Sequence, residues 1–161
     1  MMFVSCGTEK FPFNRLARIT SEYANMHPEC KILFQARTID FVPDASNVEV
    51  IEMLPFHKFQ ETLTTCEKYV CHAGIGSILS GLMNGIKPIV MARLSRFSEH
   101  TDDHQMQIVA RLLEMDKIFE FDSWEGLERT LPMQDRTEPY LPQNEALLRD
   151  IAKTVESFCG G

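Results

Sequence analysis

Apolar residues along this chain come in two rhythms. Short runs such as Met2-Phe3-Val4-Ser5-Cys6, Lys31 to Ala36 and Pro88-Ile89-Val90-Met91-Ala92 have little polar face and predict strands buried on both sides. Val48 to Leu54, Tyr69 to His72 and Ile118 to Phe121 predict three more. Between them apolar positions return every three or four residues. Leu16, Ile19, Tyr23 and Met26 predict a helix over 14–26 with Asn14 as its N-cap. A second helix runs from Pro55 to about Cys66, a third from Ser77 to Asn84 closed by Gly85, and a fourth from Asp102 to Met115. Ser123 caps a short fifth helix through Leu131. Residues 132–142, with three prolines, predict a loop, and Leu147, Leu148, Ile151, Val155 and Phe158 mark a final amphipathic helix.

Strands alternating with helices predict an α/β fold: Rossmann-like, a mostly parallel sheet with helices on both faces. Ligands of such sheets bind beyond the carboxyl ends of the strands. That rule selects the loops at 7–13, 37–47, 72–77 and 93–102.

Length and charge narrow the field. At 161 residues the chain has the size of one domain. Its 44% hydrophobic and 24% charged residues make disorder a poor description. A net charge of -7 argues against a nucleic-acid partner gripped through its phosphates. Apolar runs fall well short of the roughly 20 residues that span a bilayer, and Glu9 and Lys10 interrupt the N-terminus, so a soluble, cytoplasmic protein is expected. The charge is uneven. Residues 1–96 carry 10 basic and 9 acidic side chains, and residues 97–161 carry 6 and 14, so an anionic ligand favours the first part. The five cysteines, at 6, 30, 66, 71 and 159, show no C-x-x-C spacing and are expected to be reduced thiols.

Three clusters sit on the selected loops. His72-Ala73-Gly74-Ile75-Gly76-Ser77 joins a strand end to a helix start. Glycines there let backbone approach a ligand, and the first N–H groups of a helix lack partners, which suits a diphosphate. Ser77 could donate to the same phosphate, although a tight turn with a serine cap explains the pattern equally well. Gly81, inside the helix, marks close packing or ligand approach.

The second cluster runs from Arg93 to Gln105. Lys87, Arg93 and Arg96 are candidate counter-charges for phosphate. Asp103 and Gln105 suit sugar hydroxyls, while Asp at a helix start also serves simply as a cap. His100 and His104 are four apart and with Asp103 could form a metal site, but no further strong ligand lies close by in sequence, so no metal is expected. Gly7-Thr8, ending the first strand, is the third cluster.

Together these residues resemble one family. Met2 to Thr8 followed by Pro12-Phe13-Asn14-Arg15-Leu16, the H-x-G-x-G-S loop at 72–77, Gly85-Ile86-Lys87-Pro88-Ile89-Val90, and Arg93 to Gln105 are similar to short, single-domain glycosyltransferases related to the C-terminal half of MurG. The likeness is greatest to PssE-type subunits of exopolysaccharide synthesis and covers residues 2 to about 121. It implies one half of a GT-B glycosyltransferase, with residues 1–161 as a single nucleotide-sugar-binding domain whose 131–161 segment packs on it or on a partner. It also implies a UDP-sugar site built from Gly7, Thr8, His72, Gly74, Gly76, Ser77, Arg93, His100, Asp103, His104 and Gln105. The implied partner is a membrane-anchored, acceptor-binding subunit that presents a lipid-linked acceptor at the cytoplasmic face of the membrane. No cofactor or metal is implied, and the general base for an inverting transfer is left unassigned. Many MurG-like proteins carry Glu three residues after the loop serine, where this chain has Ser80. Two other readings stay open: a non-catalytic module that stabilises or activates a catalytic partner, and a metal-dependent hydrolase using His100, Asp103 and His104.

Overall fold

The computed structural model describes residues 1–140. Six strands form one sheet: β1 (Met2–Ser5), β2 (Ile32–Gln35), β3 (Val48–Ile51), β4 (Lys68–His72), β5 (Ile89–Met91) and β6 (Phe119–Glu120). Their order is β3-β2-β1-β4-β5-β6 and every pairing is parallel, so the expected Rossmann-like sheet is present without an antiparallel edge. Four helices connect strands, α1 (Asn14–Met26), α2 (Phe56–Thr65), α3 (Ile75–Met83) and α4 (His104–Glu114); β2 runs to β3 without one, and α5 (Trp124–Thr130) follows β6.

Side chains alternate across the sheet and feed two cores. Met2, Val4, Phe34 and Met91 pack with Leu16 of α1 and Leu127 of α5 on one face. Phe3, Tyr69, Cys71 and Val90 pack with Leu63 of α2, Ile78 of α3 and Leu112 of α4 on the other. Both faces are covered, as a parallel sheet requires. Gly81 is where α3 meets the sheet: an added Cβ would lie 2.7 Å from Pro88 Cγ and 3.0 Å from the Tyr69 ring. Gly85, at φ +69°, then ends α3, with Ile86 N–H donating to Gly81 C=O at 3.0 Å.

Local details differ from expectation. Phe13, not Asn14, is the N-cap of α1. The Asn14 carboxamide instead accepts from the N–H groups of Asp40 and Phe41 at 3.0 and 3.1 Å, pinning the loop after β2. Met26 is 65% exposed, and Thr20 and Ala24 occupy the buried face in its place. Beyond Leu131 the chain follows the amino edge of β4: Gln134 exchanges side-chain hydrogen bonds with both the N–H and C=O of Tyr69, and Arg136 takes three carbonyls at the end of α2. The helix expected over Leu147 to Phe158 lies outside the described residues. Among the described residues no helix is long and apolar enough to cross a membrane.

Candidate functional site

The chain builds the sheet outward from β1 to β3, then returns to lay β4 on the other side of β1. The carboxyl edge between β1 and β4 is therefore a switch point, where flanking loops diverge and leave a crevice. A cleft of about 590 Å³ opens there. Gly7, Thr8, His72, Gly74, Gly76 and Ser77 all line it, so the structure gathers six of the sequence-selected residues at one place.

The helix behind the cleft starts earlier than the glycine pattern predicts. Gly74 is the N-cap of α3, and Gly76 and Ser77 already lie in its first turn. A glycine cap has no side chain to accept from the helix, and the N–H groups of Ile75 and Gly76 find no acceptor among the described residues. Two uncapped donors and the positive end of the helix dipole thus face the cleft, an arrangement suited to an anion. A Cβ built on Gly76 meets nothing within 4 Å. Ser77 does not cap the helix; its hydroxyl lies 3.5 Å from His72 Nδ1.

His72 ends β4 with its ring wedged between two glycines. A Cβ on Gly7 would fall 2.3 Å from His72 Cε1, and one on Gly74 2.1 Å from Nε2. Gly7 also holds φ +75°, which favours glycine independently. Burial, then the Arg93 charge, pull the His72 pKa down to about 4, against a hydrogen bond with the Ser5 backbone. The ring is neutral at pH 7 and supplies shape and hydrogen bonding rather than positive charge. Because the unfolded histidine takes up its proton near 6.5, stability contributed by the neutral ring is full above pH 6.5 and is lost as pH falls toward 4, by up to about 3 kcal/mol. The His72 imidazole proton resonance should stay flat from pH 8 to 5 and move only below that. A midpoint above 6 would show that the ring is not buried as described.

The second cluster lies on the same edge of the sheet but lines a different part of it. Arg93 is 1% exposed and turned inward. Its guanidinium donates to the carbonyls of Cys6, Phe11 and Glu99 at 2.8 to 3.0 Å and stacks over the Phe13 ring. Its donors tie the β1 loop to the β5 loop and do not reach the cleft lining. Gln105 is also buried, its Oε1 accepting from Arg93 N–H at 3.0 Å. Asp103 accepts from Ser95 N–H at 2.7 Å, and Asp102 accepts from His104 N–H at 3.0 Å. His100 sits 3.2 Å from the Asp102 carboxylate. Lys87 precedes β5 and so lies at the opposite, amino edge, paired with Asp116. Arg96 is exposed and stacks on Phe97. Among the described residues no three His, Cys, Asp or Glu side chains converge on a metal position.

A family model, the glycosyltransferase family 28 C-terminal domain, matches residues 1–131. The chain belongs to this family. Similar solved structures agree with the fold. The glycotransferase of kitacinnamycin is 17% identical with a TM-score of 0.60 over 95% of this chain and 37% of its own. SnogD from Streptomyces nogalater is 19% identical, with a TM-score of 0.50 over 97% and 36%. The solution structure of ALG13 is 18% identical with a TM-score of 0.62 and covers 92% of both chains. The chain thus spans little more than a third of the first two structures and nearly the whole of the third. No curated protein matches the sequence.

The family 28 domain also shows residues that the motif reading missed. Met53, Leu54, Pro55, Phe56 and Phe59 form an apolar wall of the cleft, and Gln35 and Ser5 line it at the ends of β2 and β1. Phe56 is 77% exposed, a cost that a core residue at a strand-to-helix junction would not show. Ser80, standing where the related Glu would be, lines the cleft but donates its hydroxyl to Gly76 C=O at 2.8 Å. Cys6, Cys66 and Cys71 are buried, and burial holds them as protonated thiols: it pushes Cys6 and Cys71 up to about 12 and Cys66 to about 11.

Proposed function

We propose that the chain is the donor-binding subunit of a two-component inverting glycosyltransferase, moving a sugar from a UDP-sugar to a lipid-pyrophosphate-linked acceptor. The uncapped N-terminus of α3, opening into a cleft at the switch point of the sheet, carries this reading. The diphosphate would rest on the N–H groups of Ile75 and Gly76 beside Ser77. As the bond to the sugar breaks, negative charge grows on the departing UDP, and fixed helix-end donors stabilise it without a metal. The partner is a membrane-anchored subunit that binds the acceptor, supplies the other half of the site and recruits this chain to the cytoplasmic face of a membrane for polysaccharide or glycan synthesis. The match to the ALG13 structure over 92% of both chains, against little more than a third of the two longer glycosyltransferase structures, supports that division.

Ligand-observed NMR tests the donor site, with UDP, UDP-GlcNAc, UDP-galactose and UDP-glucuronate added to the isolated chain. Binding of UDP and one UDP-sugar, unchanged by chelator, is expected. Gly76→Trp, which fills the open side of the cleft, should bring both below detection. A native chain that binds none of them, or a Gly76→Trp chain that binds equally well, overturns the reading. The second reading, a module that stabilises or activates a catalytic partner, draws support from Ser80, whose hydroxyl is turned back onto its own helix. Transfer by the assembled complex that is unaffected by Gly76→Trp would favour it.

A further inference from the structure

Gln35 is the last residue of β2 and lies level with Ser5 of β1. Its backbone is engaged, since its C=O accepts from Cys6 N–H at 2.8 Å. Its side chain behaves differently. The residue is 3% exposed, yet its Oε1 has no donor among the described residues, and it lines the same cleft as α3. A buried carbonyl oxygen without a donor weakens a fold, and leucine at this position would remove that penalty. Gln134, by contrast, satisfies both ends of its buried carboxamide within the chain.

The order of the strands says which part of a ligand meets Gln35. Across the carboxyl edge the elements run from the apolar wall after β3, through Gln35 on β2 and Gly7-Thr8 after β1, to the anion-suited end of α3 after β4. A molecule with a flat, weakly polar end and an anionic end fits this sequence in one orientation. An orphan acceptor repels a phosphate oxygen and attracts an N–H or O–H, which the nucleoside portion carries. Resting on the nucleotide reading of the cleft, we propose that Gln35 is a nucleoside-reading residue whose side-chain oxygen accepts a hydrogen bond from the base or ribose of the bound nucleotide.

The test measures affinity and stability together in the full chain. Gln35→Leu should leave the urea midpoint equal to or above that of the native protein, while weakening UDP about tenfold. UMP should weaken by the same factor, because both share the nucleoside. Gln35→Met, closer in shape, should repeat the pattern. Unchanged UDP affinity in either folded variant overturns the proposal, and so does a loss confined to UDP, which would place Gln35 against the terminal phosphate. A fall in stability with both variants assigns Gln35 to the scaffold and overturns it as well. Failure of the native chain to bind UDP at all removes the nucleotide reading and this inference with it, an outcome distinct from selective failure at Gln35.

Discussion

Replacing Glu99 by alanine should lower the stability of the chain by about 3 kcal/mol, because it removes the carboxylate from a mostly buried ion pair. Glu99 is 2% exposed and works between two guanidinium groups. Arg15 approaches it with two donors, Nε to Oε1 at 2.8 Å and Nη2 to Oε2 at 2.7 Å, and Oε2 also accepts from Leu94 N–H at 3.0 Å. Arg93 is held by the Glu99 backbone carbonyl at 3.0 Å. Burial pulls the Arg93 pKa down, while Cys6 and Glu99 oppose that shift. Alanine would leave Arg93 as a buried cation without its nearby carboxylate and Leu94 N–H without its acceptor. Urea unfolding measures the effect, with Glu114→Ala as the comparison. Glu114 pairs with Arg111 on an exposed helix face and should leave the midpoint unchanged. If both variants unfold at the same urea concentration, the Arg15–Glu99–Arg93 group is not a structural tie.

This network explains why the second cluster was only partly legible in the sequence. A basic residue just past a strand, at the ligand-binding edge of a parallel sheet, fits a phosphate counter-charge, and Arg93 has that position. What redirects it are the carbonyls of Cys6 and Phe11, more than eighty residues away, which no local pattern announces. Gln105 and Asp103 likewise carry side chains suited to sugar hydroxyls, but their acceptors are turned to the N–H groups of Arg93 and Ser95. The stretch from Arg93 to Gln105 supports the edge of the sheet, while the residues that line the cleft come from the ends of β1 to β4 and the starts of α2 and α3.

The fold itself was open to reading because each strand and helix has its own period. Breaks at Gly7, Gly74 and Gly85 fall where chain direction changes, and Gly81 marked a real close contact with Tyr69 and Pro88. Helix starts were harder. At α3 the pattern offered Ser77 as a cap, but Gly74 holds that place because Ile75 already packs against the core on the α2 face. The apolar wall at 53–59 escaped notice for the opposite reason: Met, Leu and Phe between a strand and a helix look like core. Gln35 was hidden at the end of an apolar run, where one polar residue reads as the strand's exit. Only its missing donor sets it apart.

Gly74→Ala should cost about 1–3 kcal/mol and weaken UDP binding more than tenfold, although the substitution adds a single methyl group. The new Cβ would lie 2.1 Å from His72 Nε2, and the ring cannot retreat toward Gly7, whose own missing Cβ leaves just enough room for it. The imidazole must leave its slot between β1 and β4, taking with it the 3.5 Å contact to Ser77 beside the uncapped helix end. Gly76→Ala is the matched control. It adds the same methyl group two residues on, where nothing lies within 4 Å, and so should leave stability nearly unchanged. Coupling to the ring is measured by a double-mutant cycle with His72→Ala, which empties the slot. The stability lost by the Gly74→Ala, His72→Ala chain should fall short of the sum of the two single losses by at least about 1 kcal/mol, because the clash exists only when both groups are present. Strict additivity would mean that Gly74 is needed for some other reason, and that the wedge of histidine between two glycines does not shape the mouth of the cleft.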